Sequence, residues 1–146
     1  QPSYVSKHLR WCPIFGESLH LCTMGVTIKE AVVVVDPYNS GPLLIDELNH
    51  RGLPLVAVRS TLALGKTVLD TWNSACFEKV IVHHGDVSET VAALRRWGPV
   101  QAVIAGSEFG VQLADELANA MSLRGNAMEL SSCRRDKYLM HERLRE

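Results

Sequence analysis

The chain has 146 residues, 47% of them apolar, with a formal net charge of -1. That length fits one domain and that apolar fraction can build a core, which excludes a disordered chain. The balanced charge offers no extended basic surface for nucleic acid or an anionic membrane, and no apolar run reaches membrane-spanning length.

The chain begins at Gln1 rather than Met, so we expect a processed product or a piece of a longer protein. Lys7, His8, Arg10 and Glu17 interrupt any apolar core that a secretory signal would need. Leu19 to Cys22 and Val26 to Ile28 could form short strands, with Pro13, Gly16 and Gly25 as breaks. Residues 1–30 are therefore set apart as an N-terminal extension of unassigned role. Cys12, Cys22, Cys76 and Cys133 lie far apart and lack metal-site spacing. Buried free thiols in a reducing, cytoplasmic setting are expected.

Ala31 to Val35 is a continuous β-branched run, the pattern of a strand buried on both faces. It exits into Asp36-Pro37-Tyr38-Asn39-Ser40-Gly41. Ser40 is expected to cap a helix with Pro42 in its first turn, Leu44, Ile45 and Leu48 inside, and Gly52 as the stop. Leu53 to Val58 reads as the second strand. Thr61 to Ser74 reads as a helix with Leu64, Val68 and Trp72 on one side. Lys79 to Val82 is the third strand, leaving through His83-His84-Gly85-Asp86. Ser88 is expected to cap the next helix, with Val87 as a hydrophobic staple, Val91 and Leu94 inside, and Gly98-Pro99 as its end.

Gln101 to Ala105 then reads as a buried strand, Gly106 to Gly110 as a tight turn carrying Glu108, and the following segment as a helix. Ala114, Leu117, Ala118 and Met121 fall on one face of that helix. Leu123 to Ser131 reads as a loop, and Ser132 as the cap of a charged helix from Arg134 to Arg145. Alternating strands and helices predict an α/β, Rossmann-like doubly wound domain, its sheet mainly parallel with helices on both faces. The loops 36–41, 59–60, 83–86 and 106–110 then share the carboxyl edge of the strands, where such folds bind ligands.

Several motifs are excluded. The first strand's exit holds one glycine rather than G-x-G-x-x-G, which argues against a dinucleotide site. Leu64-Gly65-Lys66-Thr67 imitates the end of a P-loop, but Ser60 stands where the motif needs its first glycine, which argues against a P-loop phosphotransferase. His83 and His84 are adjacent at a strand end and point to opposite sides, unsuited to one metal ion. Asp36 and Glu108 are acids in turns; the spacing alone leaves both ligand binding and turn hydrogen bonding open. Three cations in Arg134-Arg135-Asp136-Lys137 oppose the dipole at a helix start, a misfit that hints at an anionic partner.

Taken together, Val35 to Gly41, Gly85-Asp86, Ala105 to Asp115, Asn126 and Arg134 to Met140 resemble the N-terminal part of ATP-grasp ligases. The likeness is greatest to the group of L-amino-acid ligases and related carboxylate–amine ligases, and it covers 31–146. The resemblance implies a Rossmann-like domain preceding the ATP-grasp, with the last helix leading into it. It implies that full-length relatives use ATP and magnesium to activate a carboxylate as an acyl phosphate, which an amine then attacks. The substrate would be a small carboxylate or amino acid, and the C-terminal ATP-grasp domain of the same chain would be the partner. Asp36, Tyr38, Ser40, Gly41, Glu108 and Gly110 become candidate substrate-binding residues, and Lys137 the candidate ATP contact. Relatives continue past the point where this chain stops, so neither metal ligands nor catalytic residues are expected in it, and alone it should be inactive. A non-catalytic domain that senses a small ligand is the alternative.

Overall fold

A computed structural model describes residues 29–145. Among them, four strands form one sheet: β1 (Ala31–Val35), β2 (Leu55–Arg59), β3 (Lys79–Val82) and β4 (Val100–Ala105). Five helices accompany it: α1 (Gly41–His50), α2 (Lys66–Leu69), α3 (Val87–Trp97), α4 (Val111–Ala120) and α5 (Lys137–Leu144). The strand order is β3-β2-β1-β4 and every pairing is parallel. The α/β, doubly wound expectation therefore holds.

Alternation along β1 explains the two layers. Val32 and Val34 face α1, packing with Leu55 and Ile45. Val33 and Val35 face the other way, packing with Val91 and Leu94 of α3 and with Leu113, Ala114, Leu117 and Ala118 of α4. Covered on both sides, β1 is buried along its whole length, and β2 is buried up to Arg59. The edge strands β3 and β4 are wetter, each with one buried residue, so continuous burial is a property of the two central strands. The chain runs outward from β1 to β2 and β3, then returns to place β4 on the other side of β1. The reversal of winding thus falls between β1 and β4, the position at which such sheets open a ligand crevice.

Three local expectations change. The helix expected over 61–74 shrinks to the four residues of α2, followed by a 3₁₀ turn at Ser74–Cys76. A helix this short needs a packed face, and Leu62 is 53% exposed while Gly65 is extended. The cap of α3 is Asp86, whose Oδ1 accepts from the Ser88 and Glu89 amides at 2.7 and 3.3 Å, so Ser88 and Val87 lie inside the helix. Ser132 opens a 3₁₀ turn, and Asp136 caps α5, accepting from the Tyr138 and Leu139 amides at 2.8 and 3.0 Å. In both cases a carboxylate at the helix start also complements the dipole, which a serine does not. Ser40 does precede α1, but its hydroxyl makes no cap bond; Pro42 and the left-handed Gly52 bound the helix as expected. Cys76 and Cys133 are free and half-buried, while Cys12, Cys22 and the possible strands within 19–28 fall outside the described residues.

Candidate ligand edge at the β1–β4 switch point

Asp36 is the knot of the carboxyl edge. It is fully buried and left-handed, with φ at 48°, a conformation that Asp tolerates better than most residues. Its Oδ1 accepts from the Ser60 amide at 2.8 Å and its Oδ2 from the Ser60 hydroxyl at 2.6 Å. Its carbonyl accepts from the Ser107 hydroxyl at 2.7 Å. One residue therefore ties the exits of β1, β2 and β4 together. Its carboxylate is engaged by the protein itself.

The exits of β1 and β4 interlock as tightly as backbone allows. A Cβ on Gly106 would stand 2.5 Å from Pro37 Cα, and one on Gly110 would stand 2.4 Å from the Val35 carbonyl oxygen. Gly41, also buried, lies against the Gly106 carbonyl. Gly41 and Gly110 thus serve the closeness of the two turns, which lie side by side at the switch point. Ser40 is exposed on the rim.

Tyr38 turns inward and is 1% exposed. Its hydroxyl accepts from Arg59 Nε at 3.0 Å. The Arg59 guanidinium carbon sits 4.8 Å from the centroid of the Trp72 ring, and Trp72 stacks on Phe77 at 5.5 Å. The sequence places 59–60 on this edge but did not single out Arg59, although a cation closing the Leu55–Val58 run at a strand's carboxyl end was visible.

Glu108 is exposed in the 3₁₀ turn Glu108–Gly110, and no described residue hydrogen-bonds its carboxylate. Its carbonyl accepts from Arg135. Asp115 of α4, 4% exposed, accepts from Asn126 at 3.0 Å, from the Ser131 hydroxyl at 2.8 Å and from Arg134. Arg134 also donates to the Ala127 carbonyl at 2.9 Å. Arg134 and Arg135 therefore precede α5 and have acceptors within the protein, so the expected clash of three cations with the helix dipole does not arise. Lys137, exposed, is the one basic residue in the helix's first turn. The two arginines anchor the start of α5 beside the 106–110 turn, which links Lys137 to the same edge.

A groove of about 490 Å³ opens beside β4, lined among others by Ile104, Val111, Asp115, Arg124, Asn126 and Arg134. None of the seven residues singled out from the sequence lines it, and its one acid is already satisfied. Among the described residues, Glu108, Lys137 and Arg59 of the carboxyl edge keep polar groups without protein partners, as Arg124 does beside the groove. Among the described residues no three His, Cys, Asp or Glu side chains converge on a metal-sized site. His83 Nδ1 contacts the Thr90 hydroxyl at 2.8 Å while His84 is exposed. No described helix is long and apolar enough to cross a membrane.

No family model matches the chain. Dapdiamide A synthase from Enterobacter agglomerans is 36% identical over 118 residues, 80% of this chain and 28% of that enzyme. The crystal structure of an L-amino acid ligase from Bacillus licheniformis superposes with a TM-score of 0.58 over 76% of this chain and 28% of that one, at 15% identity. The chain thus spans little more than a quarter of the length of the proteins it matches, 28% in each case. It is homologous to part of dapdiamide A synthase and shares its fold with part of an L-amino acid ligase.

Proposed function

We propose that this chain is the N-terminal, substrate-side domain of an ATP-dependent carboxylate–amine ligase that joins an amino acid or small carboxylate to an amine through an acyl phosphate. The observation that carries this reading is the interlock of the β1 and β4 exits at the switch point, in a chain homologous to a ligase. In this reading Gly41, Gly110, Asp36 and Tyr38 shape the substrate side from beneath, because their side chains or missing side chains are spent on packing. Ser40 and Glu108 face the substrate from the rim. Lys137 meets the phosphates of ATP when the ATP-grasp domain of the same polypeptide closes over α5.

In this reading the ATP-grasp domain of the same polypeptide holds the magnesium. Alone, the 146-residue chain neither hydrolyses ATP nor ligates. A cytoplasmic setting, with ATP and free amino acids at hand, suits this chemistry. The test is phosphate release and peptide formation by the natural polypeptide given ATP, magnesium and paired amino acids. ATP-independent binding of one amino acid without turnover would instead identify a non-catalytic ligand-sensing domain.

A further inference from the structure

We propose that Arg59 is an oxyanion-recognition residue, taking a carboxylate or phosphate group of a small ligand at the carboxyl end of β2. The inference deepens the reading above and rests on its assignment of the carboxyl edge as the ligand side. Arginine carries five N–H donors in a planar fork. Here Nε is spent on the Tyr38 hydroxyl at 3.0 Å, and that hydroxyl is itself held by a residue 1% exposed. The guanidinium is held near the Trp72 ring at 4.8 Å, and Trp72 is braced in turn by Phe77, nearly parallel to it at 11°. Position and plane are therefore fixed before any ligand arrives.

The four Nη–H donors have no partner among the described residues, and Arg59 forms no ion pair there. The neighbouring carboxylate does not supply one. Asp36 ends β1 beside the end of β2, yet both its oxygens are taken by Ser60. A half-buried cation with its end-on pair of donors open matches the two oxygens of a carboxylate or phosphate. The Nε bond to Tyr38 leaves that end-on pair as the guanidinium's free side among the described residues. Parallel strands lie about 4.8 Å apart, so the ends of β2 and β4 are about 10 Å from each other across β1. An amino-acid-sized or phosphorylated ligand can therefore reach from Arg59 toward the Gly106–Gly110 turn.

The test follows the Arg59 Nε–H and Trp72 indole N–H signals by nuclear magnetic resonance in the natural polypeptide. Sodium acetate and sodium phosphate are titrated against sodium chloride at matched ionic strength. Saturable shifts with acetate, with phosphate or with both, and not with chloride, are expected; acetate alone identifies a carboxylate ligand and phosphate alone a phosphoryl group. Arg59→Gln should abolish the Trp72 response while leaving the melting temperature within a few degrees, and Arg59→Lys should weaken binding at least tenfold, because an ammonium offers no fork. Shifts no larger than in chloride, or an unchanged Trp72 response in Arg59→Gln, would overturn the inference. Normal ligation by an Arg59→Gln enzyme that binds neither anion would overturn it while leaving the ligase reading intact. Anion binding at Arg59 in a polypeptide without ligase turnover would uphold it and remove that reading instead.

Discussion

The Ser107 hydroxyl donates to the Asp36 carbonyl at 2.7 Å, joining residues 71 apart in sequence. This buried bond fixes the exit of β4 to the exit of β1. Ser107→Ala should cost about 1 kcal/mol, the ordinary net value of such a bond, and more if no water replaces the hydroxyl. Asp36→Ala should cost more than Ser107→Ala, since it strands two Ser60 donors. Asp36→Asn should fall between wild type and Asp36→Ala, because one amide oxygen still accepts. Urea denaturation of the three variants gives the ranking; equal stability of all three would refute the knot.

Gly110→Ala tests the interlock directly. The new Cβ would meet the Val35 carbonyl oxygen at 2.4 Å, so the backbone must move. Overpacking of this kind costs about 1–3 kcal/mol. Gly65→Ala is the matched control, because nothing lies within 4 Å of its Cβ position and its φ of -63° suits alanine. It should be neutral or slightly stabilising, by about 0.5 kcal/mol. Equal losses at the two sites would mean that the close approach does not matter.

The fold was legible because β1 carries its own signature. Five β-branched or small apolar residues in a row need apolar cover on both sides, and the following glycines and capping signals divide the rest. The nearness of the 36–41 and 106–110 turns was legible too, since it follows from winding order. What each side chain does there was not. Asp36 looked like a ligand contact or a turn former with equal right; only its bonds to Ser60, distant in sequence, separate the two. Tyr38 was a candidate substrate contact in a loop, yet it is 1% exposed, with its ring centroid 6.2 Å from that of Trp72, a residue from another connection. Caps were misplaced by two residues at Ser88 and by four at Ser132, since several polar residues competed for each helix start and carboxylates won.

Asp115→Ala should loosen the segment leading into α5. It removes the shared acceptor of Asn126, Ser131 and Arg134 and leaves the Arg134 guanidinium without its carboxylate. Breaking a buried pair costs about 3–5 kcal/mol, and Arg134's side chain, 25% exposed, places this case at or below the lower end. Helix α5 has no buried residue, and these bonds together with Arg135 hold the segment that leads into it. Limited proteolysis should cut within 126–145 earlier in Asp115→Ala than in wild type. Asp115→Asn, which keeps an acceptor for Ser131, should be intermediate.

Glu108 and Lys137 are two candidate residues whose substitution should separate function from folding. Both are exposed, and no described residue hydrogen-bonds the Glu108 carboxylate. Glu108→Gln and Lys137→Ala should each change stability by less than about 0.5 kcal/mol. In the natural polypeptide, Glu108→Gln should impair ligation through the substrate that faces the 106–110 turn. Lys137→Ala should raise the Michaelis constant for ATP or lower turnover, because it removes a positioned cation from phosphoryl transfer. In the isolated 146-residue chain neither variant should have a phenotype. A single exposed lysine, screened by water and salt, gives too weak a phosphate contact for saturable ATP binding below millimolar nucleotide. The measurement is calorimetry with ATP together with phosphate release in the presence of magnesium and mixed amino acids. Robust turnover by the isolated chain, lost in Lys66→Ala but kept in Lys137→Ala, would move the nucleotide site to the incomplete P-loop around Gly65 and refute the ligase reading.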